Sequence, residues 1–409
     1  MNEKRAGRSP GPREFIALFA LITSLTALTI DTMLPALAAI GRDFGVEDPR
    51  DTQMIVSIMV LGMMVGELFF GSLADALGRK NAIMIGLAIY AAGTLMTLFS
   101  SSMEILLAGR FVQGIGVSGP KIASRAILRD RFEGDALARI GSFIFMIFIL
   151  VPMAAPAIGT ILIIFWHWRS IFLLFLILAA TCALWLGIRQ PETLPPERRI
   201  PLSLHVQAGN LLQILRLPDV VAQAVALGFI FGAMLSFISM APTLFLELYG
   251  IEEMFAAWFA LLAFGIGIAS FINGHVVRRF GAATLVWISL SAAVAISAIG
   301  LIFVIGGGGQ LPFFGFVGLF FCLFLCIGSL FGNITALAMQ PLGRIAGMGA
   351  SFVSALSSLV SGLFAMASGR FYDGTLLPVT TAMLLALTIA ALLFAFARRR
   401  VRRRDAVSG

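Results

Sequence analysis

Three ionisable side chains lie inside long apolar runs of this sequence, where a charge is costly. They are Asp31, Glu67 and Arg110. An ionised side chain at the centre of a membrane helix costs about 2.5–3.5 kcal/mol even on permissive insertion scales, so it pairs, faces water or holds a proton. A carboxyl group whose solvation and charged neighbours change can take up a proton in one state and release it in another. The three residues therefore predict proton exchange within the membrane.

Asp31 and Arg110 are expected to lie at similar depths. At 1.5 Å per helical residue, Asp31 lies about 6 Å and Arg110 about 8 Å from the middle of its helix, on the same side of the membrane. Arg110 shares a helix face with Gln113, and these three side chains are candidates for binding substrate. Two interpretations stay open: Asp31 is a proton switch beside Arg110, or the two residues form a permanent ion pair that fixes their helices.

Glu67 and Asn333 are polar residues in other apolar runs, and each has two interpretations. Glu67 is either a second proton site at the edge of a cavity or a protonated, hydrogen-bonded structural residue. It follows Gly62 and Gly66, a Gly-x-x-x-Gly face that predicts close packing on another helix, with the small residues of 347–362 as the expected partner. Asn333 either belongs to a cavity wall that binds substrate or makes a helix–helix hydrogen bond.

The composition indicates that membrane helices carry these residues. Hydrophobic residues make up 59% of the 409 residues and charged residues 12%, with a mean hydropathy of +0.98. About a quarter of the residues of a soluble domain are charged, so a soluble domain, a disordered chain and a coiled coil are excluded. The three cysteines lie in apolar runs and imply no disulfide framework. Metal-ligand spacing, a phosphate-binding loop and a nucleophile–base pair are not found, so neither a metal site nor an enzyme is expected.

Twelve apolar runs are long enough to cross a bilayer as helices, which takes roughly 20 residues each. They cover residues 15–39, 53–76, 81–100, 104–126, 138–163, 168–188, 218–246, 254–277, 282–305, 312–339, 345–369 and 376–397. A long polar linker rich in proline and arginine divides the runs six and six. The predicted domains are a cytoplasmic N-terminal segment, a first half, the linker, a second half and a basic tail, at residues 1–14, 15–189, 190–216, 217–397 and 398–409.

The basic residues predict the orientation. Of the 29 lysine and arginine residues, 24 fall on one side of the membrane and Arg110 lies within it. The other side receives Arg42, Arg50, Arg169 and Arg370. By the positive-inside rule, both termini are cytoplasmic. This bias explains the net charge of +8, because the basic residues face the anionic lipids of the cytoplasmic side. A nucleic acid is therefore not expected as a binding partner.

Two short sequences recur about half a chain apart, which indicates two pseudo-symmetric halves. TMLPAL at 32–37 matches SMAPTL at 239–244, and the loop GSLADALGRK at 71–80 matches GHVVRRFG at 274–281. The predicted fold is therefore an all-α integral membrane protein, with twelve transmembrane helices in two six-helix halves.

Several motifs resemble those of a known family. The loop at 71–80 resembles the loop motif of the major facilitator superfamily, RFVQGIG at 110–116 resembles its helix 4 motif, and APAIG at 155–159 is similar to the helix 5 motif associated with antiporters. A narrower resemblance is to the Bcr/CflA-type multidrug exporters. Its motifs are DTMLP at 31–35, RAILRD at 125–130, WRSIF at 168–172, MQPLGRIAG at 339–347 and YDG at 372–374.

The resemblance implies the major facilitator fold and alternating access driven by a proton gradient, without a cofactor. It assigns conformational gating to Gly71, Asp75, Gly78, Arg79, Pro156 and Gly159. Asp75 and Arg79 would belong to a charge-linked latch reaching basic residues after helix 4 or the start of helix 11; the alternative is a solvated turn. Pro156 and Gly159 would let their helix bend, or Gly159 would serve packing only. Glu67 departs from the pattern, since the exporters usually carry glutamine there.

The expected activity is export of small amphipathic, drug-like molecules in exchange for protons, by a monomer in the bacterial inner membrane. The expected proton-coupling residues are Asp31, Arg110 and Glu67, and the expected substrate-binding residues are Asp31, Arg110, Gln113 and Asn333. An importer or a dedicated metabolite exporter of the same fold stays open. So does a membrane sensor that transports nothing.

Overall fold

The computed structural model describes residues 10–46, 48–132, 134–200, 202, 204–251 and 254–408. Over these ranges the chain is built from helices and contains no β-strand. Helices suit an apolar chain in lipid, because each backbone N–H and C=O group must find its partner within the segment. Most of the predicted N-terminal segment, residues 1–9, lies outside the described part.

Long helices carry this architecture, and we name those of 20 or more residues α1–α12 in chain order. They are α1 Pro12–Asp31, α2 Met54–Leu77, α3 Arg79–Leu98, α4 Met103–Arg131, α5 Gly134–Phe165, α6 Arg169–Arg189, α7 Pro218–Thr243, α8 Phe255–Phe280, α9 Ala282–Gly306, α10 Phe313–Met339, α11 Ala346–Gly369 and α12 Leu377–Ser408. Shorter α-helices lie between them at Leu37–Asp43, Pro49–Thr52 and Leu204–Leu215.

Within the described residues, ten helical stretches are long and apolar enough to cross a membrane, and Leu150–Phe165 in α5 is a shorter apolar stretch. The helix α4 is less apolar, because Arg110, Gln113 and several glycines occupy its middle. A helix of this composition needs protein neighbours around its charged side chain. The all-helical, multi-pass fold agrees with the sequence analysis, whereas the number of twelve spans stays a prediction.

The contacts divide the chain into two compact units. The first comprises the residues up to Phe44 together with Ile58–Gln207. The second comprises Gly45–Ser57 together with the residues from Ala208 onward. The division after Gln207 falls inside the segment predicted to be a linker.

Two segments that the sequence analysis left without helix contain one. Leu204–Leu215, in the linker 190–216, is helical because apolar residues recur there at helical spacing beyond the prolines. The tail 398–409 continues α12 as far as Ser408, since arginine and alanine are good helix formers. The lipid contacts expected of the last arginines fall on side chains outside the described part.

The first predicted span, 15–39, is not one continuous helix. The helix α1 ends at Asp31, and a 3₁₀ turn follows at Leu34–Ala36 before the next short helix. Pro35 is the cause, because it lacks the N–H group that would bond to the carbonyl of Asp31 in an α-helix. The proline thus sets the end of α1 at the residue with the candidate carboxyl group.

The matching proline of the second half, Pro242, also lies at an irregular point. The helix α7 ends at Thr243 and continues as a π-helical turn, Leu244–Leu248. Single π-helical turns frequently mark functional sites. The two repeats found in the sequence therefore share a helix irregularity as well as residue types.

Glycines bring α2, α3 and α4 into backbone contact within the first unit. A Cβ atom at Gly62 of α2 would collide with the backbone of α4, and one at Gly114 of α4 would collide with the carbonyl oxygen of Met59 in α2. A Cβ atom at Gly86 of α3 would likewise collide with the carbonyl oxygen of Gly116 in α4. The expectation that the Gly-x-x-x-Gly face of α2 packs on α11 was wrong: its partner is α4, whose own glycines allow the approach.

Replacing Gly114 with alanine is expected to destabilise the protein, because the added methyl group has no space between α4 and α2. Overpacking of this kind costs about 1–3 kcal/mol. The matched control is Gly318→Ala in α10, where nothing lies within 4 Å of the added Cβ atom and alanine is the better helix former. Melting temperatures of the purified variants in detergent should fall for Gly114→Ala only. A similar loss in both would contradict the close α2–α4 contact.

Candidate functional site

Asp31 is the last residue of α1 and is buried, with 4% of its surface exposed. The break that Pro35 imposes follows directly, so the carboxyl group lies where regular backbone hydrogen bonding is interrupted. Backbone groups released at such a break are available to bound groups or water. Burial and the break together make Asp31 a candidate for a group that takes up and releases a proton.

Arg110 is completely buried in α4, where neutral groups hold its guanidinium. Nη1 donates to Oε1 of Gln113 over 2.7 Å, and Nη2 donates to the backbone carbonyl of Thr29 over 3.1 Å. The Gln113 amide donates in turn to the hydroxyl of Thr94 over 2.8 Å. The hydroxyl groups of Thr29 and Tyr90 are 2.7 Å apart. Arg110 thus belongs to a hydrogen-bond network that joins α1, α3 and α4.

Arg110 reaches the part of α1 that carries Asp31 without forming an ion pair with it. The carbonyl group that it binds belongs to Thr29, two residues before Asp31. Among the ion pairs within 4 Å in the described part of the chain, none joins Asp31 to Arg110. A permanent ion pair therefore does not describe this conformation. Asp31 is buried two residues after the carbonyl group that Arg110 binds.

Glu67 is completely buried in α2, and its carboxylate forms an ion pair with Nζ of Lys121 in α4. The glycine face beside Glu67 brings the two helices close enough for this contact. Lys121 lies within the apolar run 104–126, but it was not among the ionisable residues expected inside the membrane. A signal was present, because Lys121 lies three helical turns after Arg110 and shares its face. The partner of Glu67 is a cation, which neither interpretation of Glu67 had included.

The short loop between α2 and α3 carries the expected gating charges. Asp75 in α2, one turn after Gly71, forms an ion pair with Arg79 at the start of α3. Nε of Arg79 also lies 3.3 Å from a carboxylate oxygen of Asp130 near the end of α4. Gly78 between the two helices has a φ of +101°, which favours glycine. The contact observed at the end of α4 is to an acid and runs through Arg79, while a latch to the basic residues there or to the start of helix 11 stays a prediction.

Glu192, in the linker, holds the same loop. Its carboxylate accepts hydrogen bonds from the backbone N–H groups of Arg79, at 2.8 Å, and Lys80, at 3.2 Å. It therefore caps the N-terminus of α3, where a negative charge also interacts favourably with the helix dipole. A Cβ atom at Gly78 would collide with this carboxylate. The sequence analysis missed Glu192, because a cap from a distant part of the chain leaves no local pattern.

Gly159 and Pro156 lie in α5, which contacts the break in α1. A Cβ atom at Gly159 would collide with the carbonyl oxygen of Thr32 and crowd the ring of Pro35. The helix α5 continues through Pro156 to Phe165. Of the two interpretations of Gly159, close packing describes the contact. This glycine supports the broken segment that follows Asp31.

Asn333 of α10, in the second unit, forms a reciprocal amide pair with Asn273 of α8. The two N–H···O distances between the amides are 2.7 and 3.3 Å, and Asn333 is buried. Side-chain hydrogen bonds of this kind hold membrane helices together. Asn333 therefore makes the helix–helix hydrogen bond that the sequence analysis left open, and its role in substrate binding stays a prediction.

Three of the four arginines assigned by sequence to the basic-poor side have acidic partners. The pairs are Arg50–Asp48 at 2.6 Å, Arg370–Asp51 at 2.9 Å and Arg169–Asp43 at 3.8 Å. Hydrogen bonds from the side chain and backbone of Arg50 hold the pKa of Asp48 below its usual range. Nearby acids thus pair with three of the four positive charges that the sequence assigns to this side.

The buried polar groups of the first unit comprise two acids, an arginine and a set of hydroxyl and amide groups. The partly exposed Lys121 pairs with one of the two acids. In the described residues, no group of three or more His, Cys, Asp or Glu side chains could hold a metal ion.

Replacing Glu192 with alanine is expected to loosen the start of α3, because two backbone N–H groups lose their acceptor. Loss of a helix cap costs typically about 1 kcal/mol. Glu197→Ala is the matched control, since this exposed acid lies in the same linker. Hydrogen exchange at the first turn of α3, followed by mass spectrometry, should rise for Glu192→Ala only. Unchanged protection there would contradict the capping role.

Residues 19–366 match the family model described as Major Facilitator Superfamily. A bicyclomycin resistance protein homolog of Haemophilus influenzae is 32% identical over 278 residues, which cover 68% of this chain and 70% of that protein. Multidrug resistance protein D of Escherichia coli is 28% identical over 369 residues, which cover 86% of this chain and 88% of that protein. Among solved structures, a D-xylose–proton symporter matches over 92% of this chain and 97% of its own, with a TM-score of 0.73. The two sequences are 15% identical, so the match shows a similar fold only.

Proposed function

Since the chain belongs to the Major Facilitator Superfamily and is a multi-pass membrane transporter of small molecules, we propose that it exports amphipathic, drug-like compounds in exchange for protons. Relatives named for bicyclomycin resistance and for multidrug resistance support drug export. A transporter of this family is not an enzyme and needs no cofactor, because an ion gradient drives it. The proposal identifies that ion as the proton.

The placement of Asp31 is the observation that carries the proton assignment. Its carboxyl group is buried at the end of α1, and Arg110 binds the carbonyl group two residues earlier. Solvation and a nearby guanidinium act in opposite directions on a carboxyl group. A helix movement that changes the distance between Asp31 and Arg110 therefore changes the affinity of Asp31 for a proton. In alternating access, Asp31 would face one side of the membrane when its affinity for a proton is high and the opposite side when that affinity is low.

The same residues support broad substrate recognition. Asp31, Arg110 and Gln113 offer a few directional contacts among mostly apolar helices. Surfaces with few fixed polar contacts accept varied ligands more readily than densely polar ones. Asn333 joins this set in the proposal, which requires that its pair with Asn273 opens or that the paired amides present a free polar edge.

The proposal extends to architecture. Twelve spans form two six-helix halves, 15–189 and 217–397, with the linker 190–216 and the tail 398–409 on the cytoplasmic side. The transporter acts as a monomer in the bacterial inner membrane. The Asp75–Arg79 pair, with Gly78, would stabilise one state of the cycle as a latch. When the latch opens, Asp75 and Arg79 would separate and pair with other groups, a change that is common in proteins that switch between two states.

Asp31→Asn tests the assignment. Purified protein in proteoliposomes with a trapped pH dye receives lipophilic cations, neutral antibiotics and small metabolites. Wild type should move protons when a substrate is added, whereas Asp31→Asn should not, because asparagine cannot exchange a proton. The matched control is Glu104→Gln, which removes an exposed acid at the start of α4. Radiolabelled substrate exchange without a gradient should survive in Asp31→Asn and shows that the variant is folded.

Normal proton movement in Asp31→Asn would contradict the coupling role of this residue. Substrate flux without proton movement in wild type would identify a facilitator. A response limited to one metabolite class, or to uptake, would favour a dedicated exporter or an importer. Ligand binding without flux of any compound would favour the sensor.

A further inference from the structure

Glu67, Lys121 and Arg125 form a charged cluster where α2 packs on α4, and the proposed exchange at Asp31 does not use it. Glu67 forms an ion pair with Lys121. Arg125, one turn further along α4, interacts electrostatically with Glu67 as well. One acid thus faces two bases, and the cluster carries a net positive charge.

Exposure differs sharply between the acid and the bases. Glu67 is completely buried, 22% of the Lys121 side chain is exposed, and Arg125 is exposed. The group that a ligand meets first is therefore positive, and the compensating acid lies behind it.

The cluster shares a helix face with the candidate site. Lys121 follows Arg110 by eleven residues, which brings it back to the same face of α4 about 16 Å further along the axis. In the proposed orientation, Lys121 and Arg125 lie toward the cytoplasm. A compound exported from the cytoplasm would therefore meet them before it reaches Asp31 and Arg110.

We propose that Lys121 and Arg125 form a subsite for the anionic group of an amphipathic substrate, such as a carboxylate or sulfonate. Glu67, which is paired with Lys121, offsets part of the positive charge of this subsite. The proposal rests on the proposed function and names a substrate class for it. Substrates with an acidic group, including zwitterions, are preferred over equally apolar cations.

The chemistry of the two cations supports this role. A lysine ammonium group has three donors, and the carboxylate of Glu67 need not occupy them all. The guanidinium of Arg125 adds a planar set of donors that suits a carboxylate or sulfonate. Hydrogen bonds between charged partners are roughly twice as strong as neutral ones. Because Glu67 remains bound to Lys121, a substrate can engage the cluster without leaving a buried acid alone.

The test uses two fluorescent amphipaths that share one apolar scaffold, one ending in a sulfonate and the other in a trimethylammonium group. Their dissociation constants are measured on full-length wild type, Glu67→Gln, Lys121→Gln and the double variant. Glu67→Gln adds net positive charge and should bind the sulfonate more tightly, on the order of tenfold. Lys121→Gln should weaken sulfonate binding by a similar factor. The dissociation constant of the double variant should lie between those of the two single variants. Binding of the trimethylammonium probe should shift in the opposite direction.

Other outcomes overturn the proposal. Equal changes for both probes, or melting temperatures that fall without a charge-dependent shift, would make the Glu67–Lys121 pair purely structural. Loss of substrate-driven proton movement in Glu67→Gln would make Glu67 a coupling acid instead. Normal binding of the cation by wild type with none of the sulfonate would refute the subsite and leave proton-coupled export intact. If Lys121→Gln does not fold, Arg125→Gln provides the same comparison at an exposed position.

Discussion

A charge between apolar helices must be compensated, and the arrangement of the first unit depends on this constraint. Arg110 is completely buried, yet the Gln113 amide and the Thr29 carbonyl accept its donors. Glu67 is buried as deeply, and Lys121 compensates its charge. Such compensation is needed because an uncompensated buried ion costs several kcal/mol. Asp31 differs, since it has no ion-pair partner within 4 Å in the described part of the chain.

Compensation requires that the helices approach closely, and small residues allow this. Gly62 in α2 and Gly114 in α4 bring the two backbones into contact, so the side chain of Glu67 can reach α4. Gly159 does the same for α5 and the broken end of α1. The polar and the small residues are thus parts of one arrangement. A methyl group added at Gly62 or Gly114 would separate Glu67 from Lys121 as well as α2 from α4.

Much of this arrangement was predictable from residue type and position. The membrane helices, the internal repeat and the burial of Arg110 follow from apolar runs and spacing alone. The break after Asp31 was also within reach, because Pro35 removes one specific helical hydrogen bond. The pairing of side chains was harder to predict. The sequence places Lys121 on the helix face of Arg110, but its partner Glu67 lies on another helix. Glu192 caps a helix that begins 113 residues earlier in the chain. Such partners meet only once the helices have packed, so the sequence shows at most which side chains share a helix face.

Proton release on substrate binding, measured in weakly buffered detergent solution, tests the central claim most directly. It requires no gradient, no vesicle and no completed transport cycle. The account predicts that wild type releases about one proton per bound substrate when the starting pH leaves Asp31 protonated. It also predicts that Glu67→Gln retains this release, and that Asp31→Asn binds substrate without it. Undiminished release from Asp31→Asn would contradict the account, because the exchanged proton would then belong to another group.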